Sequence, residues 1–182
     1  MNNRFKSLYL DIAKRTAKMS RAVRLQVGCV VVKDDRIISM SWNGTPTGWD
    51  NNCEDKAYMD DMDAIFHENK QEQIKKQWPF EDEQGRYSLT TKPEVLHAES
   101  NSLSKLARSS ESGNGAAMFI THAPCIECAK LIYQSGITSV CYINAYRDAR
   151  GVEFLKKCGV DVEQVDLTHD LKQIVAEHFD HE

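Results

Sequence analysis

Long apolar runs, an excess of basic charge and a disulfide framework are all missing from this chain. None of its 182 residues falls in a run approaching the ~18 apolar positions that a bilayer-spanning helix requires, so no membrane role is expected. Lys and Arg number 23 against 27 Asp and Glu, for a formal net charge of −4, and the basic residues are scattered rather than striped. Binding a nucleic-acid polymer rests on many Lys and Arg contacts to phosphates, so that partner class is not expected either. A mononucleotide needs only a small local cluster of cations and stays compatible with an acidic whole. The first residues, Met1 to Lys6, carry some positive charge but no apolar signal segment follows them, which points to the cytoplasm. Internal repeats and low-complexity tracts are absent as well.

What is present fits one compact α/β domain over residues 1–182, with 41% hydrophobic and 27% charged residues. A chain so supplied with core residues does not depend on disulfides. Of its six cysteines, Cys29 and Cys141 lie inside apolar runs and read as small buried hydrophobes. Cys158 ends a predicted helix and Cys53 falls in a polar loop. Only Cys125 and Cys128 form a pair by spacing.

Apolar spacing predicts a helix over Phe5 to Met19, then a strand over Val27 to Lys33 buried on both sides. Asp34-Asp35 turns the chain into a hairpin partner over Arg36 to Trp42, and Asn43 to Gly48 is a loop. From about 49 to 93 the pattern weakens into an Asp- and amide-rich insertion, with a short helix around Met59 to Lys76 and a polar bend at Glu81 to Arg86. An insertion of that length is expected to pack as a flap or to form an oligomer contact. Beyond it the spacing predicts a helix over His97 to Arg108, a strand over Ala117 to Thr121, and a helix opened by Pro124 and closed by Gly136. A strand over Val140 to Asn144, a helix over Gly151 to Cys158, a short strand over Val160 to Val162 and a terminal helix over Leu167 to Phe179 complete the pattern. Such alternation implies a mixed sheet of about five strands with helices on both faces, a three-layer α/β/α fold.

Chemistry concentrates in His97-Ala98-Glu99 and Pro124-Cys125-Ile126-Glu127-Cys128. A Cys-x-x-Cys alone is often a structural zinc corner or a redox pair, and a lone histidine is usually packed or solvated. Together they offer one imidazole and two thiolates, three ligands that zinc favours, with the fourth tetrahedral position left for water. Three apart on a helix, Cys125 and Cys128 share a face, and in its first turn the helix dipole favours thiolates. Two thiolates and a neutral histidine leave zinc with a charge near zero, so water is acidified less than at a three-histidine site and a base is needed nearby. Glu99 fills that role. The pattern His-x-Glu…Pro-Cys-x-x-Cys is the signature of zinc nucleobase deaminases, and the predicted reaction is hydrolytic replacement of a ring amino group by a carbonyl. This chemistry does not by itself choose among cytosine, adenine and guanine, or between base and nucleotide.

The chain resembles the deoxycytidylate (dCMP) deaminases of the cytidine deaminase superfamily, and most of all their bacteriophage members. The match is carried by Val27-Gly28, Trp42-Asn43-Gly44-Thr45-Pro46-Thr47-Gly48, the two zinc motifs, Gln134-Ser135-Gly136-Ile137 and Tyr146. It is the Asn-Gly-x-Pro-x-Gly loop that narrows the choice to dCMP. The resemblance implies a cytidine deaminase-like fold, one catalytic Zn2+ per chain on His97, Cys125 and Cys128, and Glu99 as the proton carrier. It implies that Asn43 holds the deoxyribose, the Ala98 backbone and Glu99 the pyrimidine edge, that Tyr146 closes over the substrate, and that Arg108 bears on substrate choice and phosphate. It further implies a homohexamer in the cytoplasm, of the host cell for a phage-encoded protein, activated by dCTP with Mg2+ and inhibited by dTTP. The effector site is expected apart from the zinc, around Arg24, Gln26 and the Asn43-Gly44 loop.

Departures from the family pattern are local. Ser41-Trp42 stands where Gly-Tyr is usual, and His122 lies near the metal motif without being expected as a ligand. Ala22-Val23 and Val95 occupy positions where some phage relatives carry ligands of a second, structural zinc, so a second zinc is not expected although Cys53 remains. His67, His169, His178 and His181 are expected to be exposed. Two other readings stand beside this one: a deaminase of a riboflavin precursor or of transfer-RNA adenosine, and a zinc-stabilised interaction module without catalysis, which would have no use for Glu99.

Overall fold

The computed structural model describes residues 2–60 and 71–167. Helix α1, Asn3–Ala17, starts where the Asn2 side chain accepts from the Arg4 N–H, a capping bond that supplies an acceptor to the first turn. Strand β1, Gly28–Lys33, runs into β2, Arg36–Trp42, through Asp34 and Asp35 with φ of 49° and 56°. Two successive left-handed residues form the turn whose twist suits a tight hairpin, and aspartate tolerates that region better than most residues. Past the insertion come α3, Ala98–Ala107; β6, Ala117–His122; α4, Ile126–Gln134; β7, Ser139–Asn144; α5, Arg150–Lys157; and β8, Asp161–Gln164.

The main sheet has the order β2-β1-β6-β7-β8, antiparallel between β1 and its two neighbours and parallel from β6 through β8. Strand alternation sorts the core by face. Val30, Val32, Phe119 and Cys141 meet Tyr9, Leu10 and Ala13 of α1. Cys29, Val31, Met118 and Ile120 meet Ala98, Leu106, Ala129, Ile132 and Leu155 of α3, α4 and α5 on the opposite face. This is the expected mixed sheet of five strands between helical layers. Among the described residues no helix is long and apolar enough to cross a membrane.

The insertion departs from its expectation. It builds a second, antiparallel sheet from β3, Glu54–Tyr58; β4, Phe80–Asp82; and β5, Gly85–Thr91, in the order β3-β5-β4, with α2, Gln71–Gln77, preceding β4. Met59 does not begin a helix: its N–H donates to Arg86 O at 2.8 Å, continuing the β3 pairing. Residues 61–70 of the expected helix lie outside the described residues, as do His67, His169, His178, His181 and all but the start of the expected terminal helix. The polar bend is the β4–β5 hairpin, where Gly85 takes φ of 121°. Positions along β5 are nearly uniformly half-buried, so no inside-outside alternation was there to be read. Cys53, expected in a polar loop, is instead 1% exposed and packed with Ala22 and Val95, where the insertion meets the main domain.

Gly28 fixes how α1 lies on β1. A Cβ there would stand 2.1 Å from Ala13 O and 2.6 Å from Ala17 N, both backbone, so helix and strand approach closer than any side chain permits. Gly28→Ala should therefore lower unfolding stability by about 1–3 kcal/mol, the usual range for overpacking, measured as a shift of the urea midpoint. An unchanged midpoint would contradict this packing of α1.

Candidate metal and substrate site

Helix starts supply all three candidate ligands. His97 is the N-cap of α3, in an extended conformation, and its side chain makes no capping bond. Cys125 is the N-cap of α4, where its sulfur accepts from the Cys128 N–H at 3.5 Å, a thiolate-type acceptor in place of the usual oxygen. Pro124 therefore precedes the cap rather than taking the first helical position expected of it, and Cys128 sits three residues along, in the first turn. His97 Nδ1 lies 3.4 Å from Cys128 Sγ and 3.6 Å from Cys125 Sγ, and the three donor atoms lie within 4.8 Å of one another. Donors at zinc–nitrogen and zinc–sulfur bond lengths in a tetrahedron stand roughly 3.5–3.8 Å apart, so spacing and softness of the set both fit zinc.

Protonation agrees with that fit. The Cys125 thiol is held down at about 3 by hydrogen bonds from the Cys128 thiol and from His97. The Cys128 thiol is pushed up because it donates to the Cys125 sulfur and is buried. His97 is raised by its bond to Cys125. The metal-free cluster thus gathers protons around one thiolate, and a divalent cation takes their place, so affinity for metal should fall as pH falls. Glu99, in the first turn of α3, is 4% exposed, and burial pushes its carboxyl up from the ordinary value. A buried carboxyl in a cleft beside a metal cluster is a proton-transfer candidate.

Two supports hold this geometry. Ser41 Oγ donates to Ala98 O, Ser39 Oγ donates to Ser102 O at 2.9 Å, and Ser102 Oγ meets Ser39 Oγ at 2.8 Å. The small, hydroxyl-bearing positions of β2 thereby bind the first half of α3 directly, Ser41 at its first residue, which gives the unusual Ser41 a reason. On the other side, a Cβ at Gly151 would lie 2.1 Å from Pro124 O and 2.8 Å from Cys125 C. The start of α5 rests on the turn that carries Cys125.

A cavity of about 660 Å³ opens on the cluster, in the range of small-molecule sites, and its lining includes Arg24, Asn43, Glu99, Tyr146 and Arg147 besides His97. Of the residues expected at the site, His97, Ala98, Glu99, Cys125, Asn43 and Tyr146 all reach it. Asn43 also has a structural role, because its Oδ1 accepts from the Val27 N–H at 2.8 Å and its Nδ2 donates to Leu25 O at 2.9 Å. Arg108 is not brought there. It caps the far end of α3 and is exposed, about 15 Å along the helix from Ala98 at 1.5 Å per residue. The residues expected to form a separate effector site are not wholly separate, because Arg24 lines this cavity, while Gln26 donates to Ser20 O and Gly44 pairs with Leu96. His122 lines the cavity with Nδ1 3.1 Å from Thr121 Oγ1, outside the three-donor group. Glu54, Thr91 and Arg147 were not found by sequence reasoning. Arg147 could have been found from its place beside Tyr146, but Glu54 and Thr91 come from the sheet that the pattern concealed.

Comparison with known proteins agrees with the geometry. The family model described as the cytidine and deoxycytidylate deaminase zinc-binding region matches residues 3–144. The deoxycytidylate deaminase of Enterobacteria phage T4 is 30% identical over 171 residues, covering 86% of this chain and 87% of that protein. The crystal structure of dCMP deaminase from cyanophage S-TIM5 in complex with dCMP and dUMP superposes with a TM-score of 0.70 at 36% identity, covering 91% of this chain and 99% of that one. A Thermotoga maritima diaminohydroxyphosphoribosylaminopyrimidine deaminase/reductase, at 20% identity and a TM-score of 0.59, shares the fold and covers 93% of this chain and 39% of that one.

Metal analysis of the purified protein should find about one zinc per chain. Cys125→Ser and Cys128→Ser should lose most of it, and Gly151→Ala should weaken retention against a chelator although it removes no ligand. Two tightly held zincs in the parent, or full zinc in both serine variants, would refute the three-donor site.

Proposed function

This chain belongs to the cytidine and deoxycytidylate deaminase family, and from that premise we infer that it is a zinc-dependent dCMP deaminase, converting dCMP and water to dUMP and ammonia. The observation that carries the reading is the meeting of a three-donor zinc set and a buried glutamate in the wall of one nucleotide-sized cavity. A relative solved with dCMP and dUMP supports the choice of substrate.

His97, Cys125 and Cys128 would hold the zinc, which supplies Lewis acidity and makes water a competent nucleophile near neutral pH. Glu99 takes a proton from that water as its oxygen adds to the ring carbon bearing the amino group, and passes the proton to the neighbouring ring nitrogen. A second transfer through Glu99 carries the remaining proton of the water to the amino group, which leaves as ammonia while the carbonyl forms. Burial suits the side chain to both halves, since a carboxyl raised above its ordinary value holds the proton it takes from water long enough to pass it on. The Ala98 N–H belongs to the first turn of α3, whose N–H groups have no partner within the helix, and its carbonyl is already taken by Ser41. That N–H is the group we assign to the pyrimidine edge. Asn43, fixed by Val27 and Leu25, presents its remaining donor and lone pair to the deoxyribose, and Tyr146 covers the base.

Regulation and assembly are proposals of the same reading: a single domain over 1–182 acting in the cytoplasm as a homohexamer, activated by dCTP with Mg2+ and inhibited by dTTP. A second, more open cavity of about 970 Å³ bounded by Lys18, Arg21, Arg24 and Gln26 gives a polyphosphate three cations. Arg24 lines both cavities, and the Asn43-Gly44 loop is joined to this segment through Ser20, whose Oγ donates to Asn43 O at 2.8 Å.

Ammonia release should be fastest from dCMP among dCMP, cytidine and adenosine, and Glu99→Gln should keep its zinc while losing several orders of magnitude in turnover, because each positioned proton transfer contributes on the order of 10²–10⁴. Zinc retained with a rate within about tenfold of the parent would remove Glu99 from the mechanism. Rate against dCMP concentration should be sigmoidal, straightened by dCTP with Mg2+ and depressed by dTTP. Hyperbolic kinetics indifferent to both nucleotides would leave the chemistry standing and remove the control.

A further inference from the structure

Asn43, buried just past β2, lines the main cavity and is tied to the segment that leads into β1. Its backbone N–H donates to Val27 O at 3.1 Å, its Oδ1 accepts from the Val27 N–H, and its Nδ2 donates to Leu25 O. A primary amide offers two hydrogens and two lone pairs, so the side chain keeps a spare donor and a spare acceptor for whatever occupies the cavity. In a deoxynucleoside 5′-monophosphate the 5′ oxygen is esterified, which leaves the 3′-hydroxyl as the free hydroxyl of the sugar. That group both donates and accepts, as the spare half of the amide requires.

A fourth bond to Asn43 comes from Ser20. The Ser20 Oγ donates to Asn43 O at 2.8 Å and accepts from the Ala22 N–H at 3.1 Å, a local turn bond that directs the hydroxyl proton towards Asn43. Gln26 Nε2 closes the same segment by donating to Ser20 O at 3.0 Å. Both partners are buried, Ser20 at 4% exposure and Asn43 at 9%. A buried acceptor that loses its donor bears the whole cost of its lost hydration, and it can recover only by turning. Gly44, next along the chain, cannot absorb the turn freely, because its N–H donates to Leu96 O at 3.1 Å and its O accepts from the Leu96 N–H at 2.9 Å. The movement therefore falls on Asn43. Ser20 itself borders the second cavity and not the first, so it acts on a ligand of the first only through Asn43.

We propose that Ser20 is a positioning residue for the sugar of the substrate: its hydroxyl, through the Asn43 carbonyl, holds the Asn43 amide where the spare donor and lone pair meet the 3′-hydroxyl. The inference rests on the reading of Asn43 as the deoxyribose contact and does not depend on turnover. It gives a buried serine that touches neither the metal ligands nor the cavity a defined effect on which ligand binds.

The test uses the zinc-loaded full chain and two calorimetric titrations, one with dUMP and one with 2′,3′-dideoxyuridine 5′-monophosphate, which lacks only the hydroxyl in question. The parent should bind dUMP roughly three- to tenfold more tightly, the worth of one hydrogen bond. Ser20→Ala should bring that preference below about twofold by weakening dUMP alone, the interaction being read as in a double-mutant cycle, with zinc content and dideoxynucleotide affinity as in the parent. Ser20→Thr keeps the hydroxyl and should keep the preference. Ser20→Cys, a weaker donor of similar size, should fall between, and it decides the matter where the alanine variant fails to fold. In kinetics, Ser20→Ala should raise KM for dCMP while kcat stays within about twofold. A parent-like preference in Ser20→Ala, or an equal loss of both ligands such as general loosening produces, overturns the proposal, and so does a parent that fails to tell the two ligands apart. A preference that depends on Ser20 in a protein releasing no ammonia from dCMP would sink the reaction and leave the positioning role in place.

Discussion

Bringing one imidazole and two sulfurs to within zinc-ligand spacing of each other is the demand on which most of this architecture depends. The three atoms sit on the first residues of two helices, so α3 and α4 must converge at their positive ends, a crowding that anionic thiolates relieve. Convergence is set from both sides. Ser41 binds the start of α3, and Ser39 its middle, to the edge strand β2, and Gly151 lets α5 rest on the Pro124–Cys125 turn without an intervening side chain. Because α4 follows β6 and leads into the parallel strand β7, Cys125 stands beyond the carboxyl end of a parallel strand, where open α/β sheets place their sites.

Burying Glu99 in the same wall follows from that convergence. A carboxylate removed from water is costly, and burial moves Glu99 towards its neutral form. The cysteine cluster distributes protons for the same electrostatic reason, one sulfur holding charge while its neighbours donate to it. Structure of this kind is unfavourable for stability alone, since an apolar cluster of like volume needs no such arrangement. Its presence in a cavity with backbone donors and arginines points to proton traffic as the reason it exists.

How much of this was legible in the sequence follows the strength of the physical signal. β1 and β2 could be read because Val30 to Val32 and Ser39 to Trp42 either bury fully or alternate, and the two aspartates between them mark a turn. His97, Glu99, Cys125 and Cys128 could be read because metal chemistry restricts residue type as well as spacing. The inserted sheet could not, because β5 is half-buried along most of its length and gives no alternating signal. Glu54 and Thr91 therefore looked like ordinary surface residues of a polar stretch. Arg108 stands outside the cavity within this chain because a helix that starts at the ligand His97 carries the residue eleven positions on away from the metal site. Asn43 was legible as a site residue, but its two backbone hydrogen bonds, which hold the entry to β1, depend on a fold that sequence spacing does not convey.

Arg24 joins the catalytic reading to the regulatory one. It lines both cavities, and one rung of the inserted sheet fixes its backbone and its guanidinium together. A polyphosphate bound in the second cavity would therefore act on a side chain that also lines the catalytic cavity, and linkage would make the effect reciprocal: substrate would change effector affinity by the same factor. The sign then depends on what each effector does to Arg24. One that left the guanidinium on Thr91 and ordered the Lys18–Gln26 segment around it would keep the cavity wall in place and activate. Another that drew the guanidinium into its own phosphates would disturb that wall and inhibit. Opposite effects from two triphosphates then require only that they prefer different positions of one arginine, since a ligand with equal affinity for both positions shifts nothing. On this account the coupling runs through a single side chain and the sheet that holds it, with no rearrangement of the zinc cluster.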